Sequence, residues 1–313
     1  MLTLRFDFRL KPDSPTSMEN LYETALQMCE WGERNGAITA MFSEHHSSPD
    51  GYLPSPLILA AAAASRTETL TFNVGALLLL MYDPIKLAED IAVLDHLSRG
   101  RVGYTIGLGY RAEEYAMFGV DTIRRGKDLE ERILILRRAL SGESFEWQGR
   151  RIHVKPKPKT PNGPMTAYGG GSKAAAERAA RLGMLFLPQT SDPMMSQLYD
   201  AEAERVGNPP GMTMGPEVGA PTTVFVADDL DKGWEEYGPY LLHDATMYRE
   251  WMGQDNNSAS LSHATSIKDL REENGPYRVV TPEEAILLID RQSRLSLQPL
   301  CGGLPDELAW QSL

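Results

Sequence analysis

DPIKLAEDIAVLDHLSRGRVGYTIGLGY, Asp83 to Tyr110, is one complete helix-to-strand unit. Asp83 reads as an N-cap, and Pro84 presets φ in a first turn that has no use for its missing N–H. Ile85, Ala88, Ile91, Ala92, Leu94 and Leu97 recur at helical spacing, which predicts a helix over 84–97. Gly100 stops it, and Arg101 to Leu108 turns into a short strand that ends in glycines. A helix that returns into a strand through so short a turn is the repeating unit of a parallel α/β fold.

Outward from this unit the rhythm repeats. Strands are expected at Leu2–Phe8, Ala37–Phe42, within Thr69–Leu80, at Val102–Leu108, Met165–Tyr168, Met184–Leu187, Gly219–Val226 and Leu297–Leu300. Helices are expected at Ser17–Asn35, Pro56–Ser65, Pro84–Leu97, Lys127–Leu140 and Lys173–Leu182, from Pro193, from Leu230, and at Pro282–Arg291. Ser144–Val154 reads as a rim hairpin turning at Gln148-Gly149. Gly253–Tyr277 is polar and aperiodic and reads as a long, lid-like loop. About eight strands alternating with helices is the count of a closed (β/α)8 barrel, a single domain over residues 1–313. An open doubly wound sheet would want Gly-x-Gly-x-x-Gly after the first strand, and the chain has none there.

Composition narrows the function. The chain has 313 residues with 31 basic and 43 acidic side chains, a formal charge of -12. That sign repels a phosphate backbone, so nucleic acid is not an expected partner. No apolar run approaches the ~20 residues of a membrane helix, and the opening residues alternate like a strand rather than a signal peptide. Two cysteines, Cys29 and Cys301, are too few for a disulfide framework, so a reducing cytoplasm is expected.

Chemistry is expected where strands end, since those loops face a barrel's active site. Glu44-His45-His46 follows the second strand. Adjacent histidines cannot both point into one mouth, so one is expected to handle a proton, with Glu44 as its orienting partner, and the other to be a satisfied structural group. The remaining histidines show no metal-ligand spacing, and no metal is expected. Gly169-Gly170-Gly171-Ser172 opens a helix straight after a strand, which suits either a phosphate cradle or a tight turn capped by Ser172. Gly107-Leu108-Gly109-Tyr110-Arg111 ends the fourth strand, where glycines let a flat ring or another backbone come close. Asp95 and Arg101 are expected to pair across the turn. The run Leu77 to Tyr82, with Tyr52, is expected to line an apolar substrate pocket.

Taken together, the chain resembles the bacterial-luciferase-like flavin monooxygenases. The residues that carry the likeness are Ser43-Glu44-His45-His46, Leu70 to Gly75 leading into Asp83-Pro84, and Ala88 to Asp90 through Leu94 to Arg101. Glu114-Tyr115 to Phe118-Gly119, Gly170-Gly171-Ser172, and Pro299 to Gly303 add to it. The resemblance implies a (β/α) barrel that binds reduced, diffusible FMN at the strand C-termini, or in one branch a deazaflavin. It selects His45 of the two histidines. It also implies that Ala76, Leu77 and Leu78 lie against the ring, often through a cis non-prolyl peptide. Gly107, Gly109, Tyr110 and Arg111 would sit beside that ring. Gly169, Gly170, Gly171 and Ser172 would hold the phosphate, with Arg111, Arg124 or Arg125 as candidate phosphate arginines. The implied activity is oxygenation of a small apolar substrate, with a separate NAD(P)H:flavin reductase as partner and a homodimer as the assembly. Hydride transfer with a deazaflavin, or flavin binding without catalysis, are the alternatives.

Overall fold

The computed structural model describes residues 1–253 and 256–313. The first half of the chain winds as its sequence predicts: β1 (Leu2–Phe6), α1 (Met18–Arg34), β2 (Ala37–Phe42), α2 (Pro56–Arg66), β3 (Thr71–Leu77), α3 (Pro84–Leu97) and β4 (Val102–Gly107). Then come α4 (Ala112–Phe118), α5 (Arg125–Leu140) and the hairpin β5 (Phe145–Trp147) and β6 (Arg150–Ile152). The second half follows with β7 (Thr166–Gly170), α6 (Lys173–Arg181), β8 (Leu185–Pro188), α7 (Met194–Val206), β9 (Thr223–Val226) and α8 (Leu230–Met252). It closes with α9 (Ile267–Glu273), β10 (Tyr277–Val280), α10 (Pro282–Gln292), β11 (Leu295–Leu297) and α11 (Asp306–Gln311).

Local chemistry explains the boundaries. Asp83 caps α3 by accepting from Ile85 N at 2.8 Å and Lys86 N at 3.1 Å, and Thr281 with Glu284 closes a capping box on α10. Each such cap is worth about 1 kcal/mol. The buried stripe of α3, from Leu87 and Ala88 to Ile91 and Leu94, packs into one continuous core with Val74, Val102 and Ile106 of the strands. Arg101 does not pair with Asp95. Its guanidinium bonds to the carbonyls of Ala64, Thr67, Leu70 and Ser98, while Asp95 accepts from Thr160. Where α2 and α3 end, four carbonyls lie within reach of a five-donor fork, and that geometry outcompetes a single carboxylate.

Nine parallel strands form the barrel sheet in the order β10-β9-β11-β1-β2-β3-β4-β7-β8, one more than expected. The extra strand is β10, which begins at the last residue of the expected long loop and for which no strand was expected. That loop is also shorter than expected, since α9 occupies 267–273; Gln254 and Asp255 of the same stretch lie outside the described residues. The last strand is Leu295–Leu297, upstream of the expected 297–300. Helix α11 is short, and it packs on α1 with the Trp31 and Trp310 rings 6.3 Å apart.

One placement matters most for function. The C-terminal half of α8 lies against the end of β1: Tyr248 OH accepts from Arg5 at 2.9 Å and Asp244 pairs with Arg9 at 2.6 Å. This helix brings Asp244, Tyr248 and Trp251 to the mouth where β2, β3 and β4 also end.

Candidate active site at the barrel mouth

β2 ends in Phe42, and the chain then carries Ser43-Glu44-His45-His46 into the mouth, all four buried. The two imidazoles diverge, as neighbouring side chains on extended backbone must. His45 Nδ1 lies 2.8 Å from Glu114 Oε1 on α4, and His46 Nε2 lies 2.9 Å from Glu44 Oε1. The expected pairing of Glu44 with His45 is therefore corrected: Glu114 orients His45, and Glu44 serves the other histidine. The remaining contacts of Glu44 are structural. It accepts from Leu78 N at 2.8 Å and from Tyr82 OH at 2.5 Å, stapling the end of β3 to the end of β2.

Electrostatics fix the state of the His45 pair. Burial raises Glu114, but the hydrogen bonds from His45 and from the His46 N–H and the charge of Arg111 hold the carboxyl below its ordinary range. Burial first, with the Arg9 and Arg111 charges, lowers His45 below its ordinary value against the opposing pull of Glu114, which favours the neutral imidazole. Beside an ionised Glu114, Nδ1 carries the proton and donates. Nε2 is then the acceptor, and Tyr110 OH, 3.1 Å away, donates to it. Burial also raises Tyr110 well above its usual value, so the hydroxyl keeps its proton. The result is a neutral base whose Nε2 is covered by the Tyr110 hydroxyl.

The glycine and alanine positions are brought together as expected. The Gly75–Ala76 peptide is cis, and a Cβ on Gly107 would stand 2.7 Å from that of Ala76, so only glycine permits the approach. Ala76 is half-buried and presents a surface. Leu77, Leu78 and Leu79 are core, whereas Leu80, Met81 and Tyr82 line a cavity of about 560 Å³ together with Phe118, Arg132 and Trp147, so the expected pocket is kept only at 80–82. Gly109 and Tyr110 follow β4 into the mouth. Arg111 is buried and is engaged within the chain, donating to His46 O at 2.5 Å and to Glu114 at 3.4 Å. Arg124 pairs with Asp128, and Arg125 lies over the Tyr115 ring.

At the end of β7, Gly169 and Gly170 pack closely on Thr105 and Ala175, whereas a Cβ on Gly171 would meet nothing nearer than 3.7 Å. Packing thus demands the first two glycines and leaves room at the third, over the free amides of the α6 first turn. Ser172 accepts from Ala175 N at 3.2 Å as the N-cap, which leaves its hydroxyl proton free to donate outward. An open cradle of amides and a free hydroxyl at a helix start fits a phosphate. The half-buried face at Gly75–Ala76 and the neutral His45 fit a flat ring, so the residues present suit a flavin-type ring that carries a phosphate.

Sequence reading missed a second set of residues. Arg9 is fully buried just past β1, held by Asp50 at 2.7 Å and Asp244 at 2.6 Å, with Asp7 at 4.0 Å. Such neutralisation is obligatory, since an unpaired buried charge costs several kcal/mol. Burial and the neighbouring Asp244 push Asp7 up to about 8. Trp251 lies over this ion cluster, 4.1 Å from Arg9 Cζ, 4.2 Å from Arg111 Cζ and 4.7 Å from the His45 ring. Charged residues at alternate positions, Asp7 and Arg9, were the available signal for the cluster. Nothing local marks Trp251, because α8 approaches from 200 positions away.

Comparison with known proteins places this geometry. The model of the luciferase-like monooxygenases matches residues 5–287. Limonene 1,2-monooxygenase of Rhodococcus erythropolis is 32% identical over 164 residues, which are 47% of this chain and 42% of that enzyme. The oxygenase component of a flavin-dependent trigonelline monooxygenase from Acinetobacter baylyi is 27% identical over 156 residues, 48% of this chain and 43% of that protein. The match therefore spans less than half the length of either relative. Among solved structures, a monooxygenase from Streptomyces bottropensis superposes with a TM-score of 0.76 at 21% identity, over 100% of this chain and 96% of that one. That likeness concerns the fold.

Proposed function

This chain belongs to the luciferase-like monooxygenase family, and on that premise we propose that it is the oxygenase of a two-component system: reduced FMN and O2 oxygenate an organic substrate at the barrel mouth. The observation that supports this most is the His45 constellation, a neutral imidazole with Nδ1 anchored on Glu114 and Nε2 turned to Tyr110.

When bound, the reduced flavin supplies the electrons and the reactivity toward oxygen. The chain supplies the rest. Ala76 and Gly107 offer a flat face for the ring, and the amides of Gly171 and Ser172 with the Ser172 hydroxyl hold the phosphate. When the Tyr110 O–H turns away from Nε2, His45 Nε2 takes a proton from the reacting centre, Glu114 stabilises the imidazolium so formed, and the new Nε2–H donates to the reacting centre or to the Tyr110 oxygen. Tyr52, Tyr248 and Trp251 keep water from the mouth, which protects reactive species and strengthens each of these interactions. The named relative that is an oxygenase component supports a separate reductase as partner. Homodimeric assembly and a cytoplasmic setting complete the reading, the latter consistent with two free, buried cysteines.

The test is a titration of the apoprotein with FMN, reduced FMN and a deazaflavin, followed by reaction of the reduced-FMN complex with O2. Reduced FMN is expected to bind most tightly and to give a complex that outlives free reduced flavin in air. Binding of the deazaflavin alone would replace oxygenation by hydride transfer. Light scattering checks the dimer.

A further inference from the structure

The indole of Trp251 sits in a cage built for a flat ring. Two guanidinium groups, Arg9 and Arg111, stand 4.1 and 4.2 Å from its centre, and the rings of His45, Tyr248 and Tyr52 stand 4.7, 5.8 and 5.9 Å away. Ring faces and guanidinium planes of this kind attract any π-system, whether it belongs to the chain or to a ligand. Trp251 is also the least fixed member. It is half-buried on the last turn of α8, one residue before Met252 and two before Gly253, whose φ of 77° ends the helix.

A second observation points to an incoming molecule. Among the described residues, three buried polar atoms of the cage and of its His45 support have no hydrogen-bond partner: Arg9 Nη2, Arg111 Nε and Glu114 Oε2. Their residues are between 0% and 5% exposed. Such atoms are rarely left unpaired in a native protein unless something else completes them. An indole carries no acceptor, so Trp251 can satisfy neither arginine.

We propose that this cage is the substrate's ring site, and that it takes a flat aromatic ring bearing an oxygen acceptor, phenolic or carbonyl, when the Trp251 indole turns out. The ring lies between the guanidinium planes and beside His45. Its oxygen accepts from Arg111 Nε or Arg9 Nη2, and a phenolic O–H reaches Glu114 Oε2. Trp251 is the resident occupant that closes the mouth in the absence of substrate. This inference deepens the monooxygenase reading above and rests on it for the identity of the ring as substrate. Binding can be measured without turnover.

The experiment titrates the flavin-free protein with 2-naphthol, naphthalene and 1-decanol, following heat and tryptophan fluorescence. The expected order is 2-naphthol well ahead of both, since naphthalene lacks the acceptor and decanol lacks the ring. Trp251→Ala, with its resident ring removed, should bind 2-naphthol about tenfold more tightly than the wild type. Arg111→Lys keeps the charge but not the plane, and should bind about tenfold more weakly. Trp251→Leu carries the same comparison if the alanine variant does not fold. Equal or weaker binding by the Trp251 variants overturns the proposal, as does preference for decanol. Displacement of 2-naphthol by FMN in strict competition also overturns it, because the cage would then be the cofactor's; that outcome leaves the monooxygenase reading standing. Failure of every flavin to bind removes that reading instead, while ring selectivity can still be read.

Discussion

His45 Nδ1 stands 2.8 Å from Glu114 Oε1, a contact between residues 69 positions apart, and the same carboxylate oxygen accepts the backbone N–H of His46 at 2.8 Å. One side chain on α4 thus fixes both the tautomer of one histidine and the backbone of the next. It separates two adjacent imidazoles into different roles: His45 faces the mouth, and His46 is tied to Glu44 behind it.

His45→Ala should bind FMN within a factor of about three of the wild type yet lose roughly 10²-fold in oxygenated product, releasing hydrogen peroxide instead. His46→Ala should keep the coupling and lose stability. Product and peroxide yields, measured in both variants with the same reduced flavin, separate the roles. Full coupling in His45→Ala would remove it as the proton-handling group.

Glu114→Gln tests the anchor through pH. Glu114 raises the His45 pKa against the larger lowering by burial, so its neutralisation should lower that pKa further. The acid limb of kcat/KM should move to lower pH, while the plateau falls about tenfold. In stability the sign is the same for both partners. A histidine depressed below its unfolded value of 6.5, and a depressed carboxylate, each stabilise at neutral pH and lose that contribution on acidification. A limb that stays in place would mean Glu114 does not act through His45.

Glu44→Gln should cost about 2–3 kcal/mol in urea unfolding, because one amide oxygen replaces a carboxylate that accepts from Leu78 N, Tyr82 OH and His46 Nε2. Loss of activity should follow stability rather than precede it. A variant as stable as the wild type would show that the staple between β2 and β3 contributes little.

Ser172→Asp should weaken FMN binding at least tenfold with an unchanged ligand-free thermal midpoint, since aspartate caps a helix as well as serine but repels a phosphate. Ser172→Ala should lose about 1 kcal/mol of stability by removing the bond to Ala175 N. Equal FMN affinity in Ser172→Asp would take the phosphate away from α6.

Asp7→Asn should flatten the alkaline side of the stability profile. Asp7 is raised from 3.8 to about 8, by burial first and Asp244 second. A group whose folded pKa lies above its unfolded value stabilises fully below the unfolded value and loses that contribution as pH rises to the folded one. The wild type should therefore lose thermal stability between pH 6 and 8 more steeply than Asp7→Asn, read by calorimetry at fixed ionic strength. Parallel profiles would place Asp7 at its ordinary pKa.

Much of this protein was legible locally. A capped apolar stripe from Asp83 to Leu97, stopped at Gly100, determines α3 because capping and helical period are properties of consecutive residues. The same holds for β2, the hairpin at Gln148-Gly149 and the start of α6 at Ser172. Gly107 could be named as a site of close approach, since glycine marks backbone that must leave space. Where the chain had to be compared with its own distant parts, local reading stopped. Glu114 and Glu44 are both acidic residues near a strand end, and no spacing tells which of them meets His45; the turn of α4 decides it. Leu77 and Leu78 look like pocket or core alike until β3 is placed in the sheet. β10 is four residues long and becomes a strand through its pairing with β9. Arg9 and Trp251 meet because α8 crosses the end of β1. Sequence alone determined most of the elements and the histidine pair, because hydrogen bonding along the chain and side-chain period are short-range. Which carboxylate holds His45, and which ring closes over it, was decided by packing, which acts between residues that only the finished fold brings within 5 Å.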